Sequence, residues 1–157
     1  IAALASVLQT TPAYLMGWDE VNNADVLPYV RGHRIPIIGA VRAGYDGLAY
    51  EYYDGFDYAD VSCPDDYIYL RVKGDSMEPR IFEGDLALVR KQSDIESGGV
   101  AVVIINGEEG TVKKVIKHDG AFVLQAFNPN YPPRIITGAE LDEVIIVGKV
   151  VETKRKW

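Results

Sequence analysis

At 157 residues with 48% hydrophobic side chains, the chain can bury one ordinary core and little more. A formal net charge of -7 excludes a fragment that grips nucleic acid unaided, because phosphate contact needs clustered Lys and Arg. A single cysteine, Cys63, excludes an intramolecular disulfide framework, fits a reducing compartment and is expected to be a small packing residue.

Residues 1–17 read as helix, turn, helix. Ala2, Ala3, Leu4, Val7 and Leu8 share a helical face, Thr10-Thr11-Pro12 interrupts, and Thr11 is suited to cap a second short helix that Gly17 closes. From there to residue 34, Asn, Asp, Glu, Pro, Gly and His mix without periodicity, the composition of a linker. Strand signals begin at Ile35. Residues 35–42 form one expected strand, and residues 67–73 alternate, with Ile68, Leu70 and Val72 opposite Tyr67, Tyr69, Arg71 and Lys73. Further apolar stretches cover residues 86–89, 100–105, 111–117, 121–127 and 144–151, each bounded by Gly, Asn, Asp or Pro turns. So many short strands predict a mostly β fold, a strongly bent sheet or partial barrel, with a short N-terminal helical piece. The longest apolar runs fall well short of the roughly 20 residues a membrane-spanning helix needs, and no secretory signal is visible. The chain starts at Ile1, so it is expected to be part of a longer, cytoplasmic protein.

Residues 73–90, Lys-Gly-Asp-Ser-Met-Glu-Pro-Arg-Ile-Phe-Glu-Gly-Asp-Leu-Ala-Leu-Val-Arg, carry the strongest chemical signal. Ser76 falls at a turn between two apolar runs. Gly74 offers backbone freedom before it, and Met77, Glu78 and Pro79 can begin one helical turn. Backbone N–H groups at such a turn are the raw material of an oxyanion hole, although a serine there can also simply cap it. A serine hydroxyl becomes a nucleophile when a base takes its proton, and a desolvated lysine amine can serve. Lys113 and Lys114 lie on an expected strand downstream. Lys113 shares a face with Thr111, Val115 and Lys117, and Lys114 with Val112 and Ile116; alternation alone does not choose between them. Upstream, the small pair Ala43-Gly44 could approach a nucleophile closely, or form a plain turn after a strand.

The serine box, the Thr111-Val112-Lys113-Lys114-Val115 strand and the segment Gly39-Ala40-Val41-Arg42-Ala43-Gly44 resemble, in this order, the self-cleaving repressors of the LexA and lambda-type phage repressor family. The box also resembles that of signal peptidases, and residues 4–18 resemble the end of a phage-repressor helix-turn-helix domain. The resemblance implies a domain order: helix-turn-helix remnant over 1–18, linker over 19–34, and an autoproteolytic and dimerisation domain over 35–157. It implies Ser76 as nucleophile, Lys113 as base, the backbone N–H groups of Asp75 and Ser76 as oxyanion donors, and Ala43–Gly44 as the bond cut. No cofactor or metal enters this chemistry. The implied partners are a second copy, operator DNA through the absent N-terminal part, and a RecA filament or an antirepressor as inducer; no membrane is involved. Two alternatives are a non-catalytic dimerisation or antirepressor-binding module and a signal-peptidase-like protease.

A lysine at its reference pKa of about 10.4 is neutral in roughly 1 molecule in 2500 at pH 7, a deficit of about 4.6 kcal/mol. Burial lowers that pKa, so self-cleavage is expected to accelerate as pH rises through about 8 to 10. Other polar groups have bland assignments. His33 and His118 are expected at the surface, as are the acidic pairs Asp65-Asp66 and Glu108-Glu109. The run Lys154-Arg155-Lys156 is expected as a solvated tail, and Tyr50, Tyr52, Tyr53, Phe56 and Tyr58 as packing under a loop.

Overall fold

The protein was analysed as a computed structural model that describes residues 32–45 and 47–157. The expected helical piece of residues 1–18 and nearly all of the 19–34 linker lie outside the described residues. Nine strands follow in chain order: β1 (His33–Gly44), β2 (Gly47–Ala59), β3 (Tyr67–Arg71), β4 (Leu86–Lys91), β5 (Val100–Ile105), β6 (Thr111–His118), β7 (Ala121–Gln125), β8 (Arg134–Thr137) and β9 (Val144–Lys154). They form one sheet in the order β2-β1-β3-β4-β9-β5-β6-β7-β8, antiparallel except for the β1–β3 pair. The fold is the mostly β, bent and unclosed sheet that the density of turns predicts.

Side-chain alternation builds the core on both faces of this sheet. In β5, Val102 and Ile104 enter one apolar cluster while Ala101, Val103 and Ile105 enter another. In β3 and β4, Ile68, Leu70, Ala87 and Val89 join the first cluster, whereas Tyr69, Leu86 and Leu88 join a third. A strand buried on both sides reads as the continuous apolar run seen at Val100–Ile105.

The sheet also curls back on itself. Three strands, β3, β4 and β9, lie between β1 and β5 in the sheet order, yet the Gly110 N–H of the β5–β6 loop donates to the Val41 carbonyl at 2.7 Å. β9 shifts register against β4 between Leu88 and Val89 and against β5 between Val102 and Val103. Such bulges increase local twist.

Two strands escape the sequence pattern. β2 contains the aromatic cluster, so those residues line an edge strand instead of packing under a loop, and Tyr52, Tyr53 and Phe56 are exposed. Between Pro36 and Ile38 its pairing slips, with Gly55 in the left-handed region at φ 79°, and this erases the period-two signal. β8 is only four residues long and follows a Pro-rich turn.

Three expectations for polar or small residues need correction. Cys63 is exposed, in the irregular segment after β2, and packs in no core. The Lys154-Arg155-Lys156 run is not a solvated tail. Lys154 ends β9 and pairs with Leu86 across the ladder, and its amine lies 3.3 Å from the Asp57 carboxylate, which Lys156 approaches to 2.7 Å. Arg155 grips the buried Asp85 through two hydrogen bonds of 2.7 and 2.8 Å. That guanidinium holds the Asp85 carboxyl below the usual carboxylate range. Glu109 is half-buried and engaged by two cations, Arg42 at 3.2 Å and Lys73 at 2.8 Å. His33 and His118 are exposed as expected.

Candidate active site

Ser76 sits in the irregular stretch between β3 and β4, where no ladder holds the backbone. The stretch is pinched at its base, because the Val72 N–H donates to the Asp85 carbonyl and the Gly84 N–H to the Val72 carbonyl, both at 2.9 Å. Met77, 2% exposed, anchors its middle in the core. The turn itself is closed by Glu78 N–H to Asp75 carbonyl at 3.2 Å and Ile81 N–H to Met77 carbonyl at 2.9 Å. Gly74 enters this turn at φ 76°, a conformation most side chains resist.

Lys113 arrives from β6, paired with Ala101 of β5. Its amine donates to Ser76 Oγ at 2.9 Å, to Thr111 Oγ1 at 3.1 Å and to the Val112 carbonyl at 3.1 Å. All three partners are neutral oxygens. Burial without a paired carboxylate therefore pushes the Lys113 amine below the ordinary lysine range. Thr111 was legible as a residue sharing a face with Lys113; its acceptor role was not. Lys114 follows the alternation of β6 to the opposite face. Of the two lysines, Lys113 is the one whose amine meets Ser76.

Next to the pair lies a cavity of about 210 Å³, lined by Ser76 together with Gly39, Leu70, Met77, Gly110 and Val112. Ala43 and Gly44 occupy the last pairs of the β1–β2 hairpin, opposite Leu48 and Gly47, and both are exposed. Just before them, Arg42 bridges Glu51 of β2 at 3.3 Å and Glu109 at 3.2 Å. Glu109 in turn holds Lys73, three residues ahead of Ser76, so one carboxylate ties the hairpin to the border of the serine turn. Among the described residues, no group of three or more His, Cys, Asp or Glu is placed to hold a metal ion.

A serine hydroxyl thus lies within hydrogen-bond distance of a half-buried lysine amine on a bent sheet. The family model described as Peptidase S24-like matches residues 36–151, and the chain belongs to this family. Among its relatives, the LexA repressor of Geobacter sp. (strain M21) is 43% identical over 125 residues, covering 78% of this chain and 61% of that protein. The LexA repressor of Citrifermentans bemidjiense is 42% identical with the same coverage, and that of Thermotoga neapolitana is 36% identical over 131 residues, covering 80% and 60%. The chain thus spans about six-tenths of the length of the curated relatives it matches.

Proposed function

We propose that this chain is the regulatory part of a cytoplasmic transcriptional repressor, of the prophage or damage-response kind, that inactivates itself by cutting its own Ala43–Gly44 bond. The observation that carries this reading is the 2.9 Å hydrogen bond between Lys113 Nζ and Ser76 Oγ, with the lysine depressed by burial. The neutral amine takes the hydroxyl proton as Oγ attacks the Ala43 carbonyl carbon. The N–H groups of Asp75 and Ser76 stabilise the resulting oxyanion. The C–N bond then breaks, the Lys113 ammonium returns its proton to the Gly44 amine, and Ser76 is left acylated by Ala43. Water, deprotonated by Lys113, releases the Ala43 carboxylate and regenerates the serine. A tethered bond reaches a high effective concentration, so little surface for an outside substrate is required.

Cutting there separates the part before Gly44 from the paired domain. In this reading two copies pair through residues 35–157, which raises DNA affinity by joining two reading heads carried by the N-terminal part. A RecA filament or an antirepressor would act as a population shifter, binding more tightly to one hairpin position than to the other.

The test is incubation of the purified chain at rising pH beside Ser76→Ala. A first-order split between Ala43 and Gly44, independent of protein concentration, supports self-cleavage. An intact wild-type chain favours a non-catalytic pairing module, and cleavage of added peptides a signal-peptidase-like enzyme. Among the described residues, no helix is long and apolar enough to cross a membrane.

In this reading the exposed end of the β1–β2 hairpin moves for Ala43 to meet Ser76. Glu109→Gln should ease that departure by releasing Arg42 and Lys73. Half-exposed pairs of this kind are worth about 0.2–1 kcal/mol each, so losing the two together should raise the self-cleavage rate about twofold or more. A rate equal to or below wild type, read on gels under identical conditions, would reject the latch.

A further inference from the structure

The serine turn lies outside every strand, yet its hydroxyl must stay near one amine on β6. A distant segment, residues 128–131, reaches it with three hydrogen bonds. The Asn128 side-chain amide donates from Nδ2 to the Asp75 carbonyl at 2.9 Å, the Asn128 backbone N–H donates to the Ser76 carbonyl at 3.0 Å, and the Tyr131 hydroxyl donates to the Asp75 carboxylate. The Asn128 amide is itself oriented, since its Oδ1 accepts the Asn130 N–H at 3.0 Å, and the Tyr131 N–H closes the turn onto the Asn128 carbonyl at 3.1 Å. Within a trans peptide the carbonyl and the following N–H point in opposite directions. Drawing the Asp75 carbonyl toward Asn128 therefore turns the Ser76 N–H to the other side.

The origin of this segment matters as much as its contacts. Residues 128–131 follow β7, and β7 pairs with β6 so that Gln125 faces Lys114, the neighbour of Lys113. Ala126 and Phe127 then lead out through the core beside Met77. One hairpin thus holds both partners, the lysine directly and the serine through Asn128 and Tyr131.

We propose that Asn128 and Tyr131 are positioning residues for Ser76, gauging its distance from Lys113 through the β6–β7 hairpin. This rests on the self-cleavage reading above. A displacement of about 1 Å can cost on the order of a hundredfold in rate, so a turn without a ladder needs such a brace.

The experiment measures first-order self-cleavage against pH for the wild-type chain, Asn128→Ala, Asn128→Asp and Tyr131→Phe, with thermal melting of each on the Ser76→Ala background. Asn128→Ala should cut about tenfold more slowly at every pH, equivalent to about 1.4 kcal/mol on the barrier. The midpoint of the pH rise should move little, because burial on β6, the cause of the Lys113 depression, remains. Asn128→Asp keeps the Oδ1 acceptor but lacks the Nδ2 donor and should be as slow as Asn128→Ala. Tyr131→Phe should slow cutting several-fold. Melting temperatures should stay near that of the parent. Wild-type rates in the variants, rescue by Asn128→Asp, or slowing that tracks lost thermal stability would each overturn the positioning role. A wild-type chain that never cuts would overturn the self-cleavage reading instead, and this role with it.

Discussion

Ser76→Ala and Lys113→Ala should each leave the chain whole where the wild type splits, with rates lower by about 10³-fold or more. The two losses should not add, since the hydroxyl and amine act as one unit across their 2.9 Å hydrogen bond. In the wild type the rate should climb with pH and level off below the ordinary lysine range, because burial depresses the Lys113 amine and only its neutral form accepts the proton. A rate flat across this interval, or equal cutting by Lys113→Ala, would remove the lysine from the mechanism.

The same burial has a cost in stability with a definite sign. Below its folded pKa, Lys113 carries a charge that the unfolded chain would hydrate better. In the window between the depressed folded pKa and the higher unfolded one, the unfolded chain binds more protons, so stability rises with pH. Lys113→Met, similar in length but uncharged, should therefore be more stable than wild type near neutrality, and the difference should shrink as the solution becomes alkaline. Denaturant midpoints at several pH values, with Ser76→Ala as the uncut reference, would expose the trend.

Gly148→Ala should destabilise the domain by about 3 kcal/mol or more, a large share of the about 5–15 kcal/mol typical of a domain. Gly148 stands in β9 between β4 and β5, beside the bulge that lets the sheet bend. A Cβ there would lie 2.3 Å from the Arg90 carbonyl oxygen and 2.7 Å from Val89 Cγ1. Rotating a side chain can relieve the second contact but not the first, which is backbone of the neighbouring strand. Relief requires β4 and β9 to part, and these strands link the half of the sheet nearest Ser76 to the half bearing Lys113. Gly120→Ala is the contrast. Gly120 has φ 73° in the β6–β7 turn with open space around it, so only local strain of about 1 kcal/mol is expected. Equal midpoints for the two variants would show that β9 is not the tight point.

By itself the sequence determined the peptidase-like box around Ser76, most of the strands and the lysine-bearing stretch, because each is written in neighbouring residues. Alternation at Ile68, Leu70 and Val72 and the run at Val100–Ile105 mark strands wherever the rest of the chain lies. β2 was hidden because a bulge at Gly55 breaks the period on which such marking depends. Alternation did not separate Lys113 from Lys114, since a period of two treats both faces of a strand alike; the resemblance pointed to Lys113, and the tertiary structure sets its amine 2.9 Å from Ser76 Oγ. It also decided that Arg155 meets Asp85, that Glu109 joins Arg42 to Lys73, and that Asn128 and Tyr131 reach the serine turn. These bonds connect residues far apart in the chain, and their partners become neighbours only once the strands have paired and the sheet has folded.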